Sequence, residues 1–142
     1  MATWLSPHFT LEELTATQQR GLDNTPSAQV TANLRATAER MEAVRELLGG
    51  HPILVSSGYR SPAVNRAVGG AVRSAHLTGQ AVDFVCHRFG TPKAICRKLA
   101  DSPLAFDQLI EEGTWVHVSF DPRLRRQVLT KARGGGYHTG LR

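Results

Sequence analysis

Ser74-Ala75-His76-Leu77-Thr78-Gly79-Gln80-Ala81-Val82-Asp83, followed later by Trp115-Val116-His117-Val118-Ser119, are the stretches that decide how this chain folds. Residues 81–85 and 115–120 read as strands, and successive side chains of a strand point to opposite faces. Val116, Val118 and Phe120 then share the core face, and Trp115, His117 and Ser119 look into a cleft. In the other strand Val82 and Phe84 take the core. Ala81 and Asp83 take the opposite face, with the small Ala81 leaving room beside Asp83. A turn at Thr78-Gly79 folds His76 back over Asp83. Two histidines and a carboxylate suit Zn²⁺ with water in the fourth position, the arrangement of a catalytic rather than a structural site.

Outward from these strands, Thr10-Leu11-Glu12-Glu13 fits a capping box, with Phe9 and Leu14 placed as a hydrophobic staple. A short helix is expected from Leu11. Asn24-Thr25-Pro26 reads as turn, N-cap and first helical residue. The stripe Val30, Leu34, Met41, Val44 and Leu48 marks the main core helix, ended by Gly49-Gly50. Ile53-Leu54-Val55 reads as a strand, Ser61-Pro62 opens a brief helix broken at Gly69-Gly70, and Thr91-Pro92 opens a helix to about Ala100. Residues 106–112 form a further strand. Helices first and neighbouring strands later give an α+β class. The expected architecture is a small, mainly antiparallel sheet flanked by helices, with the zinc cleft on the exposed sheet face. Residues 1–120 are read as the domain. Residues 121–142, with Gly134-Gly135-Gly136, are read as a flexible, basic C-terminal tail.

The chain has 142 residues, 41% hydrophobic and 20% charged, which suits one domain with its own core. No stretch is long and apolar enough for a membrane span, and the N-terminus shows no secretory signal. The expectation is synthesis in a cytoplasm, as a monomer. The net charge is +5. It is segregated: residues 121–142 hold Arg123, Arg125, Arg126, Lys131, Arg133 and Arg142 against Asp121 alone. Such a tail attracts a polyanion, either nucleic acid or anionic wall polymer. No stacking aromatics or known motif support nucleic acid. Cys86 and Cys96 read as reduced, buried thiols or as a disulfide. His8, His51, His87 and His138 are assigned to turn, loop, surface and tail.

The pattern Ser-x-His-x-x-Gly-x-Ala-x-Asp followed by Trp-Val-His-Val-Ser resembles the zinc D-alanyl-D-alanine carboxypeptidases and L-alanyl-D-glutamate endopeptidases of peptidoglycan, phage endolysins included. That family sits in a wider group with lysostaphin and the hedgehog signalling domain. The likeness runs from Ser6-Pro7-His8-Phe9 through Asp23-Asn24-Thr25-Pro26 and Ser57-Gly58-Tyr59-Arg60-Ser61-Pro62 to Ser119-Phe120. It implies His76, Asp83 and His117 as ligands of Zn²⁺, and Arg60 and Ser74 as groups that hold the substrate peptide or its carboxylate. Trp115 is expected to line the cleft.

Many relatives place an acid three residues before the second histidine, where this chain has Thr114. The candidate bases are Glu111 and Glu112, and alignment on Phe106-Asp107-Gln108-Leu109-Ile110 favours Glu112. Hairpin geometry agrees. A two-residue loop at Gly113-Thr114 pairs Glu112 with Trp115 and Ile110 with His117, which puts Glu112 on the cleft face. A one-residue change in loop length would reverse the assignment. The expected function is zinc-dependent hydrolysis of an amide bond in the peptide part of peptidoglycan. The alternatives are a non-catalytic, zinc-stabilised wall-binding or virion protein and, from the basic tail alone, a nucleic-acid-binding domain.

Overall fold

The computed structural model describes residues 2–142 and is α+β. A small hairpin of β1 (Trp4–Ser6) and β2 (Phe9–Thr10) leads into helix α1 (Leu11–Thr15). The capping box forms as expected. Thr10 accepts from the Glu13 backbone N–H at 3.1 Å, and the Glu13 carboxylate accepts from the Thr10 N–H at 2.7 Å. Phe9 and Leu14, the two staple residues, are both buried.

Helix α2 (Ala28–Leu47) buries Leu34, Ala38, Met41 and Val44 completely, and its C-cap Leu48 is buried with them. Each large side chain so buried is worth about 1.5–3 kcal/mol relative to exposure. Its cap is Ser27, whose hydroxyl accepts from the Val30 N–H, not Thr25. The residues expected to start the helix do other work. Asn24 donates to the carbonyls of Thr15 and Tyr59 at 2.8 and 3.0 Å and accepts from the Ser61 N–H at 2.7 Å. One side chain thus joins the end of α1 to the loop that carries Arg60.

The remaining elements are β3 (Leu54–Ser57), α3 (Pro62–Ala67), a 3₁₀ turn (Ala75–Thr78), β4 (Ala81–Val85), α4 (Pro92–Ala100), β5 (Gln108–Glu111), β6 (Val116–Ser119), β7 (Gln127–Lys131) and β8 (Tyr137–Thr139). The six-stranded sheet has the order β3-β4-β6-β5-β7-β8. Every pairing is antiparallel except β5 with β7. Val82, Phe84, Val116 and Val118 join the cluster built by α2 and α4 on one face. Cys86 and Cys96 are free thiols buried in that cluster. Burial, then the Glu111 carboxylate, pushes the Cys96 thiol up to about 12.

The C-terminal segment corrects the sequence reading. Residues 127–139 form two strands of the main sheet instead of a flexible tail. Asp107 holds them in place. Its carboxylate accepts from Arg125 Nε and Nη2 at 2.8 and 2.9 Å, and from the Arg125 backbone N–H at 3.0 Å. Leu124 and Arg126 on either side have φ of +41° and +52°, a conformation that costs a non-glycine residue energy. The clamp and the Arg126 guanidinium, which donates to the carbonyls of Leu104 and Ser102 at 3.1 and 2.9 Å, offset it. Two of the six cations assigned to a wall-binding tail are therefore committed within the fold.

Candidate functional site

One row of residues crosses four strands on the face opposite the core. Asp83 on β4 pairs with His117 on β6, His117 with Ile110 on β5, and Ile110 with Leu129 on β7. All four line an open cleft of about 530 Å³. His76 reaches it from the 3₁₀ turn, which Gly79 ends in the left-handed conformation (φ +74°). A Cβ on Gly79 would meet Leu34 Cγ at 3.0 Å, and the Gly79 carbonyl accepts from the Thr37 hydroxyl at 2.7 Å. The core helix thereby fixes the turn that aims His76.

Asp83 Oδ1 lies 3.1 Å from His76 Nε2 and 2.9 Å from His117 Nδ1. The two rings stand edge to face with centroids 5.1 Å apart. One ligand atom from each of the three residues falls within 4.8 Å of the others, so they can hold a metal ion together. Donors about 2.0–2.1 Å from a tetrahedral Zn²⁺ sit about 3.3 Å from each other. Asp83 Oδ1 stands within a few tenths of an ångström of that spacing from each imidazole nitrogen.

Surrounding groups prepare the ligands. His76 Nδ1 lies 2.6 Å from the Gly58 carbonyl. A carbonyl only accepts, so Nδ1 carries the proton and Nε2 keeps its lone pair. Gly58 itself is required: a Cβ there would fall 2.3 Å from the Leu14 carbonyl oxygen. Burial holds the His76 imidazole below its ordinary pKa and favours the neutral, ligating form. Burial alone would raise Asp83, but its contacts with the two imidazoles, the His117 hydrogen bond first among them, outweigh it and hold the carboxyl below the usual range.

Arg60 lines the cleft, but three of its five N–H groups are already used. It donates to Asp83 Oδ2 at 3.2 Å, Ser57 Oγ at 3.1 Å and Asn65 Oδ1 at 3.3 Å. Two N–H groups are left for a ligand. Ser74 also lines the cleft, and its hydroxyl caps the 3₁₀ turn by accepting from the His76 N–H at 3.1 Å.

The β5–β6 hairpin has the register read from Gly113-Thr114. Ile110 pairs with His117 and Glu111 with Val116, and the Glu112 N–H donates to the Trp115 carbonyl at 3.0 Å. Gly113 takes φ +99°. Glu112 and Trp115 accordingly line the cleft. Burial raises the Glu112 pKa, with His117 pulling it down and Asp83 pushing it up. Glu111 is placed differently. Its carboxylate folds onto its own turn, accepting from the Gly113 N–H at 2.6 Å, and its charge acts on Cys96 in the core.

Among the cleft residues that sequence reasoning missed are Lys131 and Tyr137. The Lys131 ammonium lies 5.7 Å from the Trp115 ring centroid, and the Tyr137 hydroxyl donates to Glu112 Oε1 at 3.3 Å. The signal was present: Gln127-Val128-Leu129-Thr130-Lys131, three glycines, then Tyr137-His138-Thr139 is a hairpin pattern. His8 pairs with Glu42 at 2.7 Å, away from the cleft.

Two imidazoles and a carboxylate converging on a cleft floor, with a half-buried acid on the same face, form a candidate catalytic metal centre. The chain belongs to the Peptidase M15 family, which it matches over residues 7–119. A stretch of 57 residues is 40% identical to the zinc D-Ala-D-Ala carboxypeptidase of Streptomyces albus G. That stretch is 40% of this chain and 22% of that protein, so the chain matches less than a quarter of its relative's length.

Proposed function

We propose that this chain is a zinc-dependent peptidase that hydrolyses an amide bond in the peptide part of bacterial peptidoglycan. The observation that carries the reading is the convergence of His76, Asp83 and His117 in one cleft with Glu112. The family membership and the similarity to a zinc carboxypeptidase point the same way. A purely structural metal site leaves Glu112, half-buried on the same face, without a task.

Zinc held there supplies Lewis acidity, polarising a carbonyl and acidifying water. The chain's own residues do the rest. Glu112, its pKa raised by burial, takes the proton of the attacking water and returns it to the leaving amine. Arg60 keeps Asp83 in place through Oδ2 and offers its two free N–H groups to a substrate carboxylate or carbonyl. Trp115 walls the cleft on the Glu112 side.

Removal of a terminal D-alanine and cleavage between L-alanine and D-glutamate both fit, since each substrate presents a carboxylate. Mass spectrometry of digested wall separates them. A carboxypeptidase releases free D-alanine, and an endopeptidase exposes a new D-glutamate N-terminus. A folded, zinc-loaded protein that produces neither overturns the reading. An endolysin role adds one expectation: lysis of cells whose wall is exposed to the added protein.

A further inference from the structure

The C-terminal strands form one wall of the cleft, and they lie beyond the residues that match the family. β8 lies antiparallel to β7, with Tyr137 opposite Lys131. β7 runs beside β5, where the last pair is Glu111 with Thr130, so one step further places Lys131 beside Glu112. Across the β5–β6 turn Glu112 faces Trp115. A second row, Trp115, Glu112, Lys131 and Tyr137, thus parallels the metal-ligand row on the same face. Two contacts tie it together: Lys131 over the Trp115 ring, and the Tyr137 hydroxyl on Glu112 Oε1.

We propose that Tyr137 is a positioning residue for Glu112: its hydroxyl holds Oε1 and leaves Oε2 as the free proton acceptor. This rests on the peptidase reading with Glu112 as base. A half-buried carboxylate on a hairpin end turns about its side-chain torsions unless a donor holds one oxygen. Tyr137 is the hydrogen-bond donor found on the Glu112 carboxylate. The tyrosine is itself held by the β7–β8 pairing, and β7 by the Asp107–Arg125 clamp. The C-terminal hairpin therefore serves the chemistry although it supplies none of the three candidate metal ligands.

The test is Tyr137→Phe in the full-length, zinc-loaded protein, with His138→Ala as the comparison. His138 neighbours Tyr137 on β8 and by alternation faces the other way. Tyr137→Phe is expected to lower kcat about tenfold with KM within about twofold, the scale of one hydrogen bond to a charged group. His138→Ala should leave both within about twofold. The second readout is titration of the Glu112 carboxyl by carbon NMR, which does not need turnover. The groups acting on Glu112 are His117, Asp83, Lys131 and Tyr137. Removing the tyrosine donor takes away a bond to the ionised form, so the titration should move upward in Tyr137→Phe. A kcat within twofold of the parent in Tyr137→Phe, an unmoved titration, or an equal loss in His138→Ala overturns the proposal. An inactive parent sinks the peptidase reading instead, and the titration then decides the contact by itself.

Discussion

Asp83 and His117 stand directly opposite each other on β4 and β6, with one carboxylate oxygen of Asp83 2.9 Å from Nδ1 of His117. The pairing register therefore builds most of the candidate metal site. A slip of one residue would turn either side chain into the core. Asp83 divides its two oxygens, one toward both imidazoles and the other toward Arg60. From this arrangement Asp83→Ala should fold yet lose the bound metal. Zinc content is expected to fall from about one per chain to a small fraction, measured by elemental analysis beside circular dichroism. Full zinc retention in the folded variant would exclude Asp83 as a ligand.

The two neighbouring acids should separate sharply. Glu112 lines the cleft, and Glu111 folds back onto the Gly113 N–H on the far side. Glu112→Gln should keep fold and zinc but lose turnover by about 10² or more, the usual scale for a general base. Glu111→Gln should stay within a few-fold of the parent. The reverse ranking, in folded and metal-loaded variants, contradicts the choice of base.

The Asp107–Arg125 clamp gives a pH-dependent prediction. Hydrogen bonding from Arg125 holds the Asp107 carboxyl at about 2, below its ordinary 3.8. A depressed folded value means the stabilisation is present above about pH 4 and is lost as pH falls toward 2. Asp107→Asn should cost about 2 kcal/mol at neutral pH, from hydrogen bonds to a charged group. The gap between parent and variant in denaturant melts should close between about pH 4 and pH 2. A gap that widens with acid would show that the clamp is not what titrates.

Truncation after Arg126 removes β7 and β8, and with them Lys131 and Tyr137. A flexible, basic tail would imply weaker wall binding with turnover of a small soluble peptide unchanged. The structure predicts that peptide turnover falls as well, by about tenfold or more, since the strand beside β5 is lost. A truncated protein with full activity on a small peptide would return these strands to the status of a dispensable tail.

The site was legible where the signal is local. Alternation placed His117 and Asp83 on one face, and a glycine-first loop set the Glu112 register. The caps at Thr10, Ser61 and Thr91 were equally plain. The parts that were misread depend on distant partners. β7 pairs in parallel with β5 although β6 lies between them in sequence, and its only apolar residues, Val128 and Leu129, make no hydrophobic run that demands burial. Thr25 looked like a cap because nothing local reveals that Asn24 is bound to Thr15, Tyr59 and Ser61. Arg60 looked free to bind substrate because its engagement with Asp83 exists only in the folded chain.

The most direct test of the central claim compares metal-free and zinc-restored protein on purified peptidoglycan, following released amine and carboxylate termini by mass spectrometry. The account predicts new termini at a single peptide bond with the zinc-restored protein, none after chelation, and a rate lower by about 10² or more with zinc-loaded Glu112→Gln. Cleavage that persists in fully metal-free protein, or its absence with folded and zinc-loaded parent, would contradict it.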